Sequence, residues 1–220
     1  MGELVKASDY ASAEFLAEMT EGNRLPRIKM LWGSSPETQD EELADRGAKV
    51  GHFWLSQVDT GLTKCFKATP MLARPHALCM KGDEVHIESF DPKSVEFAQV
   101  KKMKLNPPGP FPEWYSRWGG DILFWLPDHN CFAVYFMYGC AMRTFAATYN
   151  YTLANNRKNL IVKAKRIDRP GKAVLFAPEL LVTDESFPPP MEELWEAAQE
   201  QFNDTTPRLA VEAEQDEVPS

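Results

Sequence analysis

A histidine and a cysteine stand three positions apart in RPHALCM, residues 74–80, just before a Lys81-Gly82-Asp83 turn. Imidazole nitrogen and thiolate sulfur both bind zinc, and two further candidate ligands precede them. His52, Cys65, His76 and Cys79 follow one another with twelve, ten and two residues between them. A zinc ion accepts two His and two Cys as well as one His and three Cys. The local sequence argues against the close pair as a metal grip. A two-residue gap between zinc ligands needs a tight knuckle, and Ala77-Leu78 brings no glycine to make one. In a strand, His76 and Cys79 also point to opposite faces. The expectation is therefore a short inner strand bounded by Pro75 and the Lys-Gly-Asp turn. Ala77 and Cys79 would lie on one face, with His76, Leu78 and Met80 on the other, and no metal or cofactor is expected.

Other chemistry-bearing patterns are few. There is no G-x-x-x-x-G-K-[ST], G-x-G-x-x-G or G-x-S-x-G stretch, so no phosphate loop, dinucleotide fingerprint or nucleophile elbow is expected. Asp128-His129-Asn130 has the composition of a nuclease cluster, but it separates two hydrophobic runs, where Asp and Asn serve as turn residues. No carboxylate cluster suits two-metal chemistry. No catalytic residue is assigned, and the chain is not expected to be an enzyme.

The interleaving of cations and aromatics is more informative. TKCFKAT carries Lys64 and Phe66 on one strand face, and NLIVKAKRID carries Lys163 and Lys165, followed by Arg166. VKKMK adds Lys101, Lys102 and Lys104. FPEWYSRWGG places Trp114, Tyr115 and Trp118 around Arg117 in a stretch bounded by Pro and Gly. Single-stranded nucleic acid is held by this combination: cations follow the phosphates while exposed aromatics stack on bases. The competing reading is that the tryptophans plug the end of a barrel and the lysines only solubilise it.

These residues must be positioned by short elements. Strand-like runs at 27–32, 52–58, 62–69, 76–80, 84–90, 121–126, 131–139, 159–168 and 172–183 alternate with turn signals. DPKSVEFAQVKKMKLN (91–106) is expected to form a helix capped by Asp91 with Pro92 in its first turn. The organisation expected is an acidic helical N-terminal arm (1–24), a β-barrel body (25–187), a C-terminal helix (188–203) and a disordered acidic tail (204–220). The fold class is mainly β with flanking helices (α+β), a small OB-like β-barrel decorated by helices. No internal repeat is visible. The longest apolar run, Cys131 to Met142, is 12 residues, against about 20 for a membrane span. With no leader-like stretch and four cysteines, a reducing cytoplasm is the expected location. The net charge of −8 hides a partition: 1–45 carries −6, 46–172 carries +9 and 173–220 carries −11. A basic centre between acidic flanks suits a polyanion-binding body.

Two resemblances add to this. LPRIKMLWGSSPE (25–37), GAKVGHF (47–53) and the Thr60-Gly61 turn resemble a group of phage-encoded proteins of unassigned activity that share an LPRIK…SPE…GAKxGxF motif. In plan the chain resembles phage single-stranded-DNA-binding proteins, which have an OB-type barrel, a basic aromatic groove and an acidic tail. The His52, Cys65, His76, Cys79 order also resembles the zinc ligands of such a protein from T-even phages, where one His precedes three Cys. The resemblance implies binding of single-stranded DNA without strong sequence preference during phage replication or recombination, in the host cytoplasm. It also implies replication or recombination partners reached through the acidic tail, and possible self-association. The tail here ends in Pro219-Ser220 rather than in the aromatic or hydrophobic residue such tails often carry. The alternative is a phage virion structural or host-interaction protein that does not bind nucleic acid.

Overall fold

The runs that alternate apolar and polar residues become strands, because one face of each is buried. In the computed structural model, residues 25–56, 58–82, 84–103, 114–152, 157–168, 170 and 174–205 are described. The strands are β1 (Arg27–Met30), β2 (Phe53–Leu55), β3 (Thr60–Thr63), β4 (Cys65–Lys81), β5 (Glu84–Ser89), β6 (Trp114–Leu126), β7 (Cys131–Tyr138), β8 (Asn159–Ile167) and β9 (Leu175–Thr183). The helices are α1 (Glu41–Asp45), α2 (Val95–Lys102), α3 (Met142–Tyr151) and α4 (Glu192–Asn203). The strands form one sheet in the order β3-β2-β1-β7-β6-β4-β8-β9, with β5 also on β4. Neighbours run antiparallel except β1 and β7. The chain is thus mainly β with a few helices, and its sheet curls strongly into a half-barrel. The helical N-terminal arm expected at 1–24 lies outside the described residues, as does most of the acidic tail.

β4 produces the curl. The run expected at 62–69 is split between the end of β3 and the start of β4, and β4 then continues through the run expected at 76–80 as a single strand of 17 residues. Its first four residues pair with β8, and Thr69–Lys81 pair with β6, with a register shift between Pro70 and Leu72. A bulge bends the strand carrying it and increases its twist, so β4 belongs to both walls of the half-barrel. Pro75 does not bound a strand but lies inside this one. Both Pro70 and Pro75 fall where β4 has a neighbour only on the β6 side, a stretch that tolerates a missing N–H.

Inside the curl, Ile28, Phe53, Phe66, Ile122, Phe124, Leu126, Tyr135, Met137, Leu160 and Val162 form the main core. α3 packs over its open side. A Cβ on Gly120 would lie 2.1 Å from the Phe145 ring, so this glycine lets α3 rest on the backbone of β6. α2 covers the inner face further along, where Phe97 and Val100 meet Ala77, Cys79 and Ile87. It is capped by Ser94, whose hydroxyl accepts from the Phe97 amide at 3.1 Å, rather than by Asp91. Asp91 instead accepts from the Lys93 amide in the preceding turn, at 2.9 Å. Against the outer face, α4 buries Leu194, Ala198 and Phe202 on Leu123, Trp125, Phe132 and Val134. The Trp125 indole N–H donates to the Pro188 carbonyl at 2.8 Å, fixing the approach to that helix. Among the described residues, no helix is long and apolar enough to cross a membrane.

Candidate nucleic-acid interface

Strand alternation decides which side chains share the outer face. On β6 these are Tyr115, Arg117, Asp121, Leu123 and Trp125; on β7 they are Phe132, Val134, Phe136 and Tyr138. WYSRWGG, expected as a loop, is the first half of β6, so its aromatics are divided between two faces instead of surrounding Arg117. α4 covers only one end of the outer face. Beyond it come a buried charged cluster and then an open aromatic patch.

The charged cluster is built on RPHALCM. His76 is fully buried, its Nδ1 lies 3.0 Å from Asp121 Oδ1, and its Nε2 lies 3.1 Å from Glu88 Oε1. An imidazole can donate to two carboxylates only when both nitrogens carry protons. Burial alone would lower the His76 pKa, but the Asp121 charge and the two hydrogen bonds outweigh it and hold the pKa above its ordinary value. Burial would likewise raise the Asp121 pKa, yet the His76 charge and hydrogen bond, with Arg27 and Arg74, bring it below the usual value. Arg74 Nε lies 3.4 Å from Asp121 Oδ2, and its Nη1 donates to the Phe202 and Asp204 carbonyls at the end of α4. The cluster therefore ties the C-terminal helix to the sheet. His76 and Asp121 are sealed from solvent, so no substrate reaches them.

This network carries a pH signature. The raised His76 pKa contributes stability that is complete below the unfolded value of 6.5 and is lost as pH rises through the folded value. The lowered Asp121 pKa acts at the other end: its contribution is complete above 3.8 and is lost as pH falls through the folded value. Urea unfolding is expected to give lower stability at alkaline pH than near pH 6, and His76→Gln is expected to flatten that difference. An unchanged pH dependence in the variant would remove His76 as its source.

The cations and rings of this face make a ladder. Arg74 stacks over Phe202 at 4.6 Å and Phe90 at 3.7 Å. Phe90 and Phe136 flank the His76 ring at 4.7 and 4.4 Å. Phe136 leads to Tyr138 at 5.2 Å. Arg117 then lies 5.3 Å over Tyr138 and 5.1 Å over Tyr115. These spacings suit aromatic and cation–π contact. The last rungs emerge from the protein: Leu78, Tyr115, Arg117, Phe136 and Tyr138 line an open depression of about 360 Å³. Tyr138 is 39% exposed. A cation between the exposed Tyr138 ring and the half-buried Tyr115 ring offers a phosphate and a stacking base complementary surfaces at once.

The chain matches no family model, no curated protein and no solved structure.

The other residues expected to form the site are dispersed. Phe66 is in the core against Phe53 and Phe124, and cannot stack on a base. Lys101 and Lys102 are exposed at the end of α2, and Lys101 lies 5.0 Å over Trp118, which packs beneath that helix. Lys163, Lys165 and Arg166 are exposed on β8, with Lys64 in the adjoining turn. Lys165 pairs with Glu179 at 2.5 Å and Arg166 with Asp168 at 2.8 Å. Among the described residues expected around the site, Arg117 and its neighbour Tyr115 join the aromatic patch. Lys104 and the Trp114 side chain lie outside the described residues. His76 and Cys79 face opposite sides of β4, as alternation required, with Cys79 in the core beneath α2. His52 lies beside β2 and Cys65 is exposed at the start of β4, so the four candidate ligands are spread over different surfaces. Asp128-His129-Asn130 is the β6–β7 turn, with Asn130 at φ 46°. Phe136 and Tyr138 were not singled out from the sequence, although the alternation of CFAVYFMY carries them onto the same face as Arg117.

Proposed function

We propose that this chain binds single-stranded nucleic acid, DNA by its phage resemblance, without strong base preference, across the open end of the β4–β6–β7 face. The observation supporting this is the placement of Arg117 between Tyr115 and Tyr138, with Phe136 and Leu78 beside them. Bases stack on the exposed rings, phosphates meet the guanidinium, and release of counterions adds salt-sensitive affinity. The curled half-barrel is compatible with an OB-like scaffold, a class that carries single strands across an open sheet face. A role in phage replication or recombination, with partners recruited through the acidic tail, belongs to the same reading.

Fluorescence anisotropy of the full-length protein with labelled oligo-dT tests it. Binding is expected at low salt and weakens as salt rises, with a log–log slope of about −0.7 per phosphate neutralised. Removing residues 204–220 is expected to strengthen it, since the acidic flank competes for the same cations. Absence of binding at low salt, with or without those residues, overturns the reading. The alternative, a virion or host-interaction protein, draws on the sheet edge at β9, where Leu181 and Val182 are exposed. It predicts a discrete oligomer or protein complex and no affinity for oligo-dT.

A further inference from the structure

β9 ends one side of the sheet, and among the described residues β8 is its one strand neighbour. Alternation along that pairing fixes which backbone groups are left over. The Ala164 amide donates to the Lys64 carbonyl at 2.8 Å, toward β4, so its partner Pro178 turns its backbone away from β8. Phe176, Leu180 and Val182 follow the same alternation. The first half of this free side is closed. Thr144 Oγ1 of α3 donates to the Pro178 carbonyl at 2.6 Å, and Cys140 Sγ lies 3.9 Å from the Phe176 carbonyl. Pro178 itself has no N–H to offer, and proline or a covering helix blunts an edge against an incoming strand.

The second half, 179–183, carries no such guard. Leu180 and Val182 each turn a donor and an acceptor outward there, beside apolar side chains. Leu181 is 39% exposed and Val182 51%. Acids at either end of the window are already balanced, Glu179 by Lys165 at 2.5 Å and Glu185 by Lys67 of β4. β9 ends at Thr183, and the chain then turns back over its own sheet. Asn159 of β8 donates to the Glu185 carbonyl at 2.8 Å, drawing it away from the free edge.

We propose that this window pairs with itself in a second copy of the chain, antiparallel about a two-fold axis through Leu181. In that register Leu180 exchanges both backbone hydrogen bonds with Val182 of the second copy, and Val182 does the same with its Leu180. Leu181 meets its own counterpart, and Glu179 faces Thr183, so no like charges stand opposite one another. Moving the register by two residues spoils the match. One direction sets Pro178 against Val182, and the other sets Asp184, beyond the strand end, against Leu180. A foreign strand running on past Pro178 would meet α3, whereas the second copy leaves the ladder at Thr183. An isologous contact of this kind closes at two copies. A window of about five residues a side falls short of the roughly 20–30 of stable interfaces, so the dimer dissociates on dilution. The pairing uses none of the residues proposed to hold nucleic acid and does not depend on that reading.

Cysteine crosslinking and sedimentation test it on the full-length protein. Leu181 faces its counterpart in a non-hydrogen-bonded pair, where Cα atoms stand about 4.5 Å apart, within disulfide range. Leu181→Cys is therefore expected to give a diamide-induced dimer whose linked peptides both contain position 181. Thr183→Cys is the register control, since its two copies would stand about 13 Å apart along the strands, too far for a bond. The unsubstituted chain, with Cys65 and Cys140 exposed, sets the background. In sedimentation velocity its mass is expected to rise with concentration from 25.0 kDa toward twice that value. Leu181→Lys opposes two cations at the axis and is expected to keep the protein monomeric, with an unchanged urea midpoint. A monomer at every concentration up to millimolar overturns the proposal, as does a dimer indifferent to Leu181→Lys. Crosslinking of Thr183→Cys as fast as that of Leu181→Cys overturns it too. An extended foreign peptide bearing a thiol that outcompetes self-linkage would give the edge to another partner, with the same consequence. Oligo-dT binding by a strict monomer removes this inference and leaves the proposed function standing; a dimer without oligo-dT binding does the reverse.

Discussion

Asp121→Asn lowers folding stability by about 3–5 kcal/mol, the cost of breaking a buried ion pair by removing one partner. Asparagine keeps the shape of aspartate, so the loss measures charge and not a cavity. Asp121 sits 3.0 Å from His76 and 3.4 Å from Arg74, and neutralising it removes the carboxylate charge that faces the fully buried His76 on its Nδ1 side. Against a typical total of about 5–15 kcal/mol, that is a large share. Urea unfolding followed by tryptophan fluorescence checks it. The double variant Asp121→Asn with His76→Gln is expected to lose less than the sum of the two single changes, because the second removes a charge that the first stranded. A single-variant loss below about 1 kcal/mol would mean that the cluster is hydrated and exchanges its partners freely, contrary to its burial.

Tyr138→Ala weakens oligo-dT binding by roughly tenfold to a hundredfold, from stacking worth about 1–3 kcal/mol per base. Its exposed position keeps the change in folding stability within about 0.5 kcal/mol, so affinity and stability separate cleanly. Tyr138→Phe retains the ring and is expected to retain most of the binding. Arg117→Ala lowers affinity and also flattens the salt dependence by about one phosphate contact. The matched control is the pair Lys163→Ala and Lys165→Ala on β8. Were those changes to abolish binding while Tyr138→Ala left it intact, the interface would belong to β8 and the aromatic patch would have another use.

Much of the framework was legible along the chain. Hairpins between β4 and β5 and at 127–130 follow from turn chemistry, and the alternation that separates His76 from Cys79 holds in β4. The charge partition correctly marked a basic centre, but it did not assign those cations to one surface. Lysines at 101–102, at 163–165 and the arginine at 117 are brought by the fold to three different places. Phe66 misled because TKCFKAT has the same alternation whether its aromatic face meets solvent or core; only β8 closing over the half-barrel buries it. The strand at 114–120 was hidden by Pro107–Pro112 before it and by Gly119-Gly120 within it. Gly120 reflects close packing by Phe145, not the end of a strand.

RPHALCM shows where local and tertiary determination divide. The sequence alone determines that His76 and Cys79 face opposite sides, because side chains alternate along any strand. It also determines that the segment is extended, since Pro75 cannot donate in a helix ladder. That His76 is buried between two carboxylates was decided elsewhere in the chain: by Asp121 45 residues away, by Glu88 across a hairpin, and by Phe90 and Phe136 on either side of its ring. Asp121, Glu88 and Phe136 lie on three different strands and Phe90 just past the end of β5, and strand register is set by the whole sheet. A charge balance assembled from four strands leaves no mark on any one of them, and for that reason only the tertiary structure shows it.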